Sequence, residues 1–235
     1  MKQALVFICS ACGADHAKWA GRCRVCGSWN TLEETKIVKT RTAVRKTANP
    51  QTLVSVNSSS HPRLVTGLDE VDLLFGGGLV QGSVYLLTGE PGTGKSTMLL
   101  ELSRNLPGKI LYIAGEETEF QIKERFDRLG IKNDRLFITR ETCAESLIEL
   151  VNRENFNILF IDSIQMLSSS AFENTPGSVV QVRTCACLLI NVCKEKNITC
   201  IFTGHITKDG TTAGPKIIEH AVDGTVYMYP EAIDS

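Results

Sequence analysis

The sequence predicts an α/β domain with a mostly parallel central sheet, preceded by a small N-terminal domain organised around four cysteines. Three observations predict it. From about residue 63 short apolar runs alternate with amphipathic stretches, the pattern of parallel strands joined by crossover helices. The segment Ile158-Leu159-Phe160-Ile161 is continuously apolar and ends at Asp162, as a strand covered on both faces does. Residues 7–30 hold two CxxC pairs but almost no apolar periodicity, so they need a source of stability other than a hydrophobic core, and metal supplies one.

A chain of 235 residues has room for one full α/β domain and an appendage. With 43% hydrophobic and 22% charged residues it has the composition of an ordinary globular protein. The net charge of -1 excludes a generally basic, nucleic-acid-coating protein, so any nucleic-acid contact must come from local patches. No apolar run approaches the roughly 20 residues that cross a bilayer, and the first residues lack the layout of a secretory leader, so the expectation is a cytoplasmic protein with no membrane contact. Nine cysteines, an odd number with four clustered, point to metal in a reducing compartment. Cys143, Cys185, Cys187, Cys193 and Cys200 lie in apolar stretches and read as small buried hydrophobes without a function.

Residues 1–32 form the first predicted unit. Cys9-x₂-Cys12-x₁₀-Cys23-x₂-Cys26 presents two thiolate pairs to one tetrahedral Zn²⁺. Gly13 and Gly27 follow the two pairs at once, which suits tight turns that aim backbone N–H groups at sulfur. Four thiolates leave no open position for water, so the zinc is structural; a redox pair would need no second CxxC nearby. Trp19 and Trp29 are expected to pack over this small fold rather than stack on bases. Residues 33–62 are polar, rich in Thr and Ser and interrupted by Pro50 and Pro62, which reads as a flexible linker. Its basic run Lys36, Lys39, Arg41, Arg45 and Lys46 suits phosphate contact and a solvated linker equally.

Within the third unit, 63–235, strands are expected at 82–88, 109–114, 135–139, 157–162, 198–204 and 224–229, with helices between them. After the first of these comes Gly89-Glu90-Pro91-Gly92-Thr93-Gly94-Lys95-Ser96, the pattern GxxxxGK[ST] of a phosphate-binding loop. Its glycines let the backbone wrap phosphate with N–H groups inward, and the following helix, with Thr97 in its first turn, offers its positive end to ATP. Lys95 is placed to reach the β- and γ-phosphates, and Ser96 to ligate Mg²⁺. Asp162 is the expected second Mg²⁺ residue. Hydrolysis also needs a group that orients water, and Glu116 or Glu117, ending the strand at 109–114, supplies it; the bland alternative has them capping the helix that starts near Thr118.

With these motifs in view the chain resembles the bacterial RadA (Sms) family, RecA-like DNA repair and recombination ATPases with an N-terminal four-cysteine zinc finger. CSACGADHAKWAGRCRVCGSWNTLEE looks like the family finger, TGLDEVDLLFGGGLVQGSVYLLTGEPGTGKST like its nucleotide core, and PGSVVQVR and GHITKDGTTAGPKIIEH like later blocks. The resemblance implies a RecA-like core and a DNA-dependent ATPase that processes recombination intermediates and drives branch migration. It further implies a homo-hexameric ring with ATP between subunits and single-stranded or branched DNA in the channel, with RecA or a replicative helicase as a partner of the finger. It places DNA-facing loops at about 166–180 and 206–215, with Lys208 and Lys216 as basic candidates, and makes His205 a sensor of the γ-phosphate. The family's KNRFG motif and C-terminal domain would follow the strand near 224–229, but the sequence stops at Ser235, so weak assembly and poor translocation are expected of these 235 residues. Gly224 also leaves the register of the last strand open. A KaiC-like ATPase shares the P-loop and double glutamate but lacks such a finger; a nucleotide-dependent protein scaffold is the other alternative.

Overall fold

The computed structural model describes residues 4–37, 52–55, 62–205 and 218–230. Lys208, Lys216 and the whole stretch 206–215 lie outside the described residues, as does most of the linker.

Near the N-terminus β1 (Ala4–Cys9) pairs antiparallel with both β2 (Asp15–His16) and β3 (Leu32–Ile37) in the order β2-β1-β3. The four cysteines sit at the ends of this small sheet and in the loop between β2 and β3. Next come β4 (Arg63–Leu64), α1 (Asp69–Leu74) and β5 (Leu79–Val80), with β4 and β5 forming a short antiparallel pair around α1.

The main domain then runs β6 (Val84–Gly89), α2 (Lys95–Ser103), β7 (Ile110–Ala114), α3 (Glu119–Arg128), β8 (Leu136–Thr139), α4 (Ala144–Arg153), β9 (Ile158–Asp162), α5 (Val179–Lys196), β10 (Thr199–His205) and β11 (Gly224–Met228). All six of its strands are parallel, in the order β11-β6-β10-β9-β7-β8. Each begins and ends within two residues of its expected bounds.

Alternation along the strands divides the core between two faces. Val84, Leu86, Leu111, Ile113, Leu159, Ile161, Cys200 and Phe202 pack under α4 and α5. Tyr85, Leu87, Ile110, Tyr112, Ile158, Phe160 and Ile201 pack with α1, α2 and α3 on the other face. Both faces being covered explains why the strands read as unbroken apolar runs.

Local signals set the helix ends. Thr118 caps α3 by a reciprocal capping box with Gln121, so neither Glu116 nor Glu117 is its cap. The Ser178 hydroxyl accepts from Gln181 N to start α5, and Asn197 ends that helix in the left-handed conformation at φ 57°.

The register of the last strand is definite. Gly224 pairs with Tyr85, and a Cβ there would approach the Tyr85 ring to 3.2 Å, tighter than ordinary contact. The glycine makes room for β11 to lie against β6.

Two expectations are corrected. Trp19 and Trp29 do not pack over the small sheet: they are 61% and 68% exposed, because the space within the four-cysteine cluster is filled by Cys9, Cys23 and Leu32. Of the later cysteines, Cys185, Cys193 and Cys200 are buried, but Cys187 is exposed on α5 and Cys143 is half-buried, its thiol donating to Glu145 Oε2 at 3.3 Å.

The small sheet also touches α5. Arg183 Nη1 donates to the Gly13 carbonyl at 2.7 Å, and a Cβ on Gly13, which has φ 71°, would come within 3.1 Å of Val179 Cγ1. The glycine of the first cysteine knuckle therefore allows both the turn and the contact.

Candidate nucleotide site and candidate metal centre

Parallel strands bring their carboxyl ends to one edge, and the chemistry-bearing residues gather there. In spatial order they are the loop after Gly89 on β6, His205 on β10, Asp162 on β9 and Glu116 just past β7.

The loop between β6 and α2 depends on its glycines. Gly92 and Gly94 have φ of 83° and 91°, and a Cβ on Gly89 would lie 2.4 Å from the Met228 carbonyl oxygen. Gly94 caps α2, directing the free N–H groups of its first turn into the loop. Thr93 Oγ1 donates to the Glu90 carbonyl at 2.9 Å and braces the turn. Lys95 is buried, and its Nζ donates to the carbonyls of Gly89 and Glu90 at 2.9 and 2.8 Å. Burial lowers its pKa, an effect opposed by the charges of Asp162 and Glu116. Beside the first turn of α2 an open trough of about 640 Å³ is lined by Leu68, Val71, Gly94, Thr97, Met98 and Glu101.

Asp162 is held at both oxygens. Tyr112 Oη donates to Oδ2 at 2.5 Å and Thr203 Oγ1 to Oδ1 at 2.6 Å, all three residues being buried. Burial, then the Asp162 charge, raises the Tyr112 pKa, so its hydroxyl stays a donor. Each carboxylate oxygen keeps a second lone pair for a metal-bound water, so Asp162 fits the demands of Mg²⁺.

The two adjacent glutamates have different surroundings. Glu117 Oε1 accepts from Arg125 Nη2 at 2.7 Å, an ion pair from the strand end to α3. Glu116 Oε1 accepts from the Ser163 hydroxyl and lies 2.9 Å from His205 Nε2. The His205 hydrogen bond, followed by that of Ser163 and the Lys95 charge against the opposing effect of burial, lowers the Glu116 pKa. Glu116 thus bonds Ser163 and His205 and senses the Lys95 charge, while Glu117 is tied to α3. His205 Nδ1 is buried without a partner among the described residues, and Gln165 Nε2 lies 3.5 Å from the His205 carbonyl.

Tyr112, Thr203, Ser163 and Arg125 were not singled out from sequence. A Tyr in an otherwise apolar run reads as core, and a Thr on a strand as β-propensity; only the partner strand reveals what each holds.

The segment after Asp162 is clamped from α5. The Gln181 side chain accepts from Ser169 N at 2.7 Å and donates to the carbonyls of Ser169, Phe172 and Asn174. Glu145 accepts from Ser169 Oγ at 2.6 Å.

In the N-terminal cluster the sulfurs of Cys9, Cys12, Cys23 and Cys26 all lie within 4.8 Å of one another. The pairs Cys9–Cys26 and Cys12–Cys23 are both 3.7 Å apart, close to the roughly 3.8 Å edge of a tetrahedron with Zn–S bonds of about 2.3 Å. Val25 N donates to Cys23 Sγ at 3.4 Å, the knuckle contact expected around a thiolate. Hydrogen bonds from Ser28 hold the Cys26 thiol down to about 6, while burial pushes Cys12 up to about 12. The set suits a closed zinc site.

Comparison with known proteins agrees with both centres. Residues 50–211 match the AAA domain family, and residues 7–34 match a rubredoxin metal binding domain. The chain is 41% identical over 237 residues to the DNA repair protein RadA of Bacillus subtilis, covering 96% of this chain and 52% of that protein. It is 40% identical to RadA of Campylobacter jejuni, covering 98% and 54%, and 37% identical to RadA of Escherichia coli, covering 96% and 52%. The chain spans about half the length of these relatives. No described helix is long and apolar enough to cross a membrane.

Proposed function

Because this chain belongs to the AAA domain family and carries a rubredoxin-type metal-binding unit, we propose that it hydrolyses ATP at the loop 89–97 and couples that hydrolysis to its grip on DNA in recombinational repair. The observation that carries this reading is the convergence of Lys95, Asp162, Glu116 and His205 on one sheet edge, with Glu116 and His205 bonded across the end of β9.

ATP enters with its phosphates against the N–H groups of the loop and the start of α2. Lys95 exchanges its bonds to the Gly89 and Glu90 carbonyls for β- and γ-phosphate oxygens and steadies the charge that develops there. Ser96 and Asp162 would hold Mg²⁺, which would supply charge that neutralises the phosphates. Glu116 accepts a hydrogen bond from the attacking water and aligns it with the γ-phosphorus. His205 holds Glu116 at one side of that water, and its backbone leads directly into the segment 206–215. Loss of the γ-phosphate therefore changes the partners of a residue one step from a loop proposed to face DNA.

The DNA part rests on likeness to proteins named for DNA repair over 96% of this chain. Single-stranded and branched intermediates as substrates, branch migration, a hexameric ring and RecA or a replicative helicase as partner belong to the same proposal. ATP turnover measured with and without single-stranded DNA tests it. Stimulation by DNA supports the coupling; equal turnover together with no retention of DNA contradicts it.

A further inference from the structure

The N-terminal metal-binding unit exposes an aromatic face that its own stability does not use. Aromatic side chains of this size bury about 150–250 Å² each when a fold uses them as core. Trp19 and Trp29 instead stay 61% and 68% exposed, in a unit whose core contains little beyond two cysteines and Leu32.

The two rings approach one place. Trp19 Cη2 and Trp29 Cζ3 each lie 3.9 Å from where a Gly21 Cβ would stand, so the glycine leaves the floor between them bare. The metal knuckle holds this arrangement. Asn30 N donates to the Gly21 carbonyl at 2.8 Å, Arg22 and Trp29 form an antiparallel bridge, and Arg22 Nε donates to the Gly27 carbonyl at 2.9 Å. The Arg22 guanidinium, so anchored, lies 5.7 Å from the Trp29 ring centre.

Charge selects the ligand. The stretch 17–30 contains Lys18, Arg22 and Arg24 and no acidic residue, while the acidic residues Asp15, Glu33 and Glu34 belong to β2 and β3. Planar rings beside a bare glycine, with the Arg22 guanidinium near one ring and Lys18 and Arg24 nearby in sequence, match the bases and phosphates of a single strand: bases supply π-faces and phosphates supply charge. A protein anchor would instead favour an apolar pocket, and Val25 is the large aliphatic side chain exposed in this stretch.

We propose that Trp19 and Trp29, with Arg22 beside Trp29 and Lys18 and Arg24 near them in sequence, form a stacking platform for single-stranded DNA on the metal-binding unit. This rests on the reading of the chain as a DNA-acting ATPase and names one place where the strand is held.

Trp19 and Trp29 are the two tryptophans of the chain, so its tryptophan fluorescence reports on this face alone. The zinc-loaded protein is titrated with oligo(dT) and with an abasic oligomer of equal length, while fluorescence anisotropy of the labelled oligomer records binding independently. The expected result is saturable quenching by oligo(dT) and much weaker binding of the abasic strand. Trp19→Ala and Trp29→Ala should each weaken oligo(dT) binding by about 5- to 100-fold with zinc content unchanged. Oligo(dT) bound with tryptophan emission unaltered, or the abasic strand bound as tightly, overturns the platform and leaves the DNA reading standing. No binding by anisotropy overturns both.

Discussion

Glu116 and His205 meet at 2.9 Å although their strands, β7 and β10, are separated in the sheet by β9. The contact spans the end of the strand that delivers Asp162, and Ser163, the next residue, donates to the same Glu116 oxygen. Glu116, Ser163 and His205 thereby form one hydrogen-bonded cluster at the end of the strand that carries Asp162.

The unlike surroundings of the two glutamates predict unlike variants. Glu116→Gln should retain ATP binding but lower turnover by about 10²–10⁴-fold, since a positioned base contributes on that order. Glu117→Gln should leave most turnover intact and destabilise the fold by about 1–3 kcal/mol through loss of its charged bond to Arg125. Turnover and thermal unfolding on both variants check this; the reverse pattern would exchange the roles.

The pH dependence follows from the Glu116 shift. Its carboxyl is held below the ordinary value of 4.5, foremost by His205, so the stability it contributes is present above about 4.5 and is lost as pH falls through the lower folded value. The difference in unfolding free energy between the wild type and Glu116→Gln should shrink as pH falls below about 4.5. Denaturant titrations across that range measure it.

Tyr112 and Thr203 predict a defect in metal use. Tyr112→Phe keeps the ring in the core but leaves Asp162 Oδ2 without its buried donor, so the Mg²⁺ concentration needed for half-maximal turnover should rise several-fold. Turnover across a Mg²⁺ series reads this directly.

The cysteine cluster predicts about one zinc per chain by elemental analysis of protein prepared without oxygen. Because thiolates are the ligands, zinc should be released as pH falls, and Cys12→Ser should lower occupancy. Hydrogen exchange should rise at 7–34 on chelation while the strands β6, β7, β9 and β10 keep their protection.

The main sheet was legible because its four central strands, β6, β10, β9 and β7, are buried on both faces and each strand is bounded by turn residues or a motif. The phosphate loop was legible because its chemistry demands fixed glycines and a fixed lysine. What stayed hidden depends on neighbours distant in sequence. Nothing near Glu116 distinguishes it from Glu117; Arg125 and His205, brought in by α3 and β10, do so. The three-stranded N-terminal sheet left no alternation to read, since sulfur ligation replaces a hydrophobic face. Trp19 and Trp29 were misplaced for the same reason: hydrophobicity suggested a core, but a unit closed around four sulfurs has little interior to offer them.

ATP hydrolysis at the loop 89–97 underlies every role proposed for this sheet edge. Steady-state phosphate release by the wild type and by a folded, zinc-loaded Lys95→Ala variant tests it most directly. Removing the ammonium that steadies the phosphate charge should lower turnover by a factor of about 10² or more, with the unfolding transition retained. Equal turnover in the two proteins, or none in the wild type with Mg²⁺ and DNA present, would rule out hydrolysis at this loop.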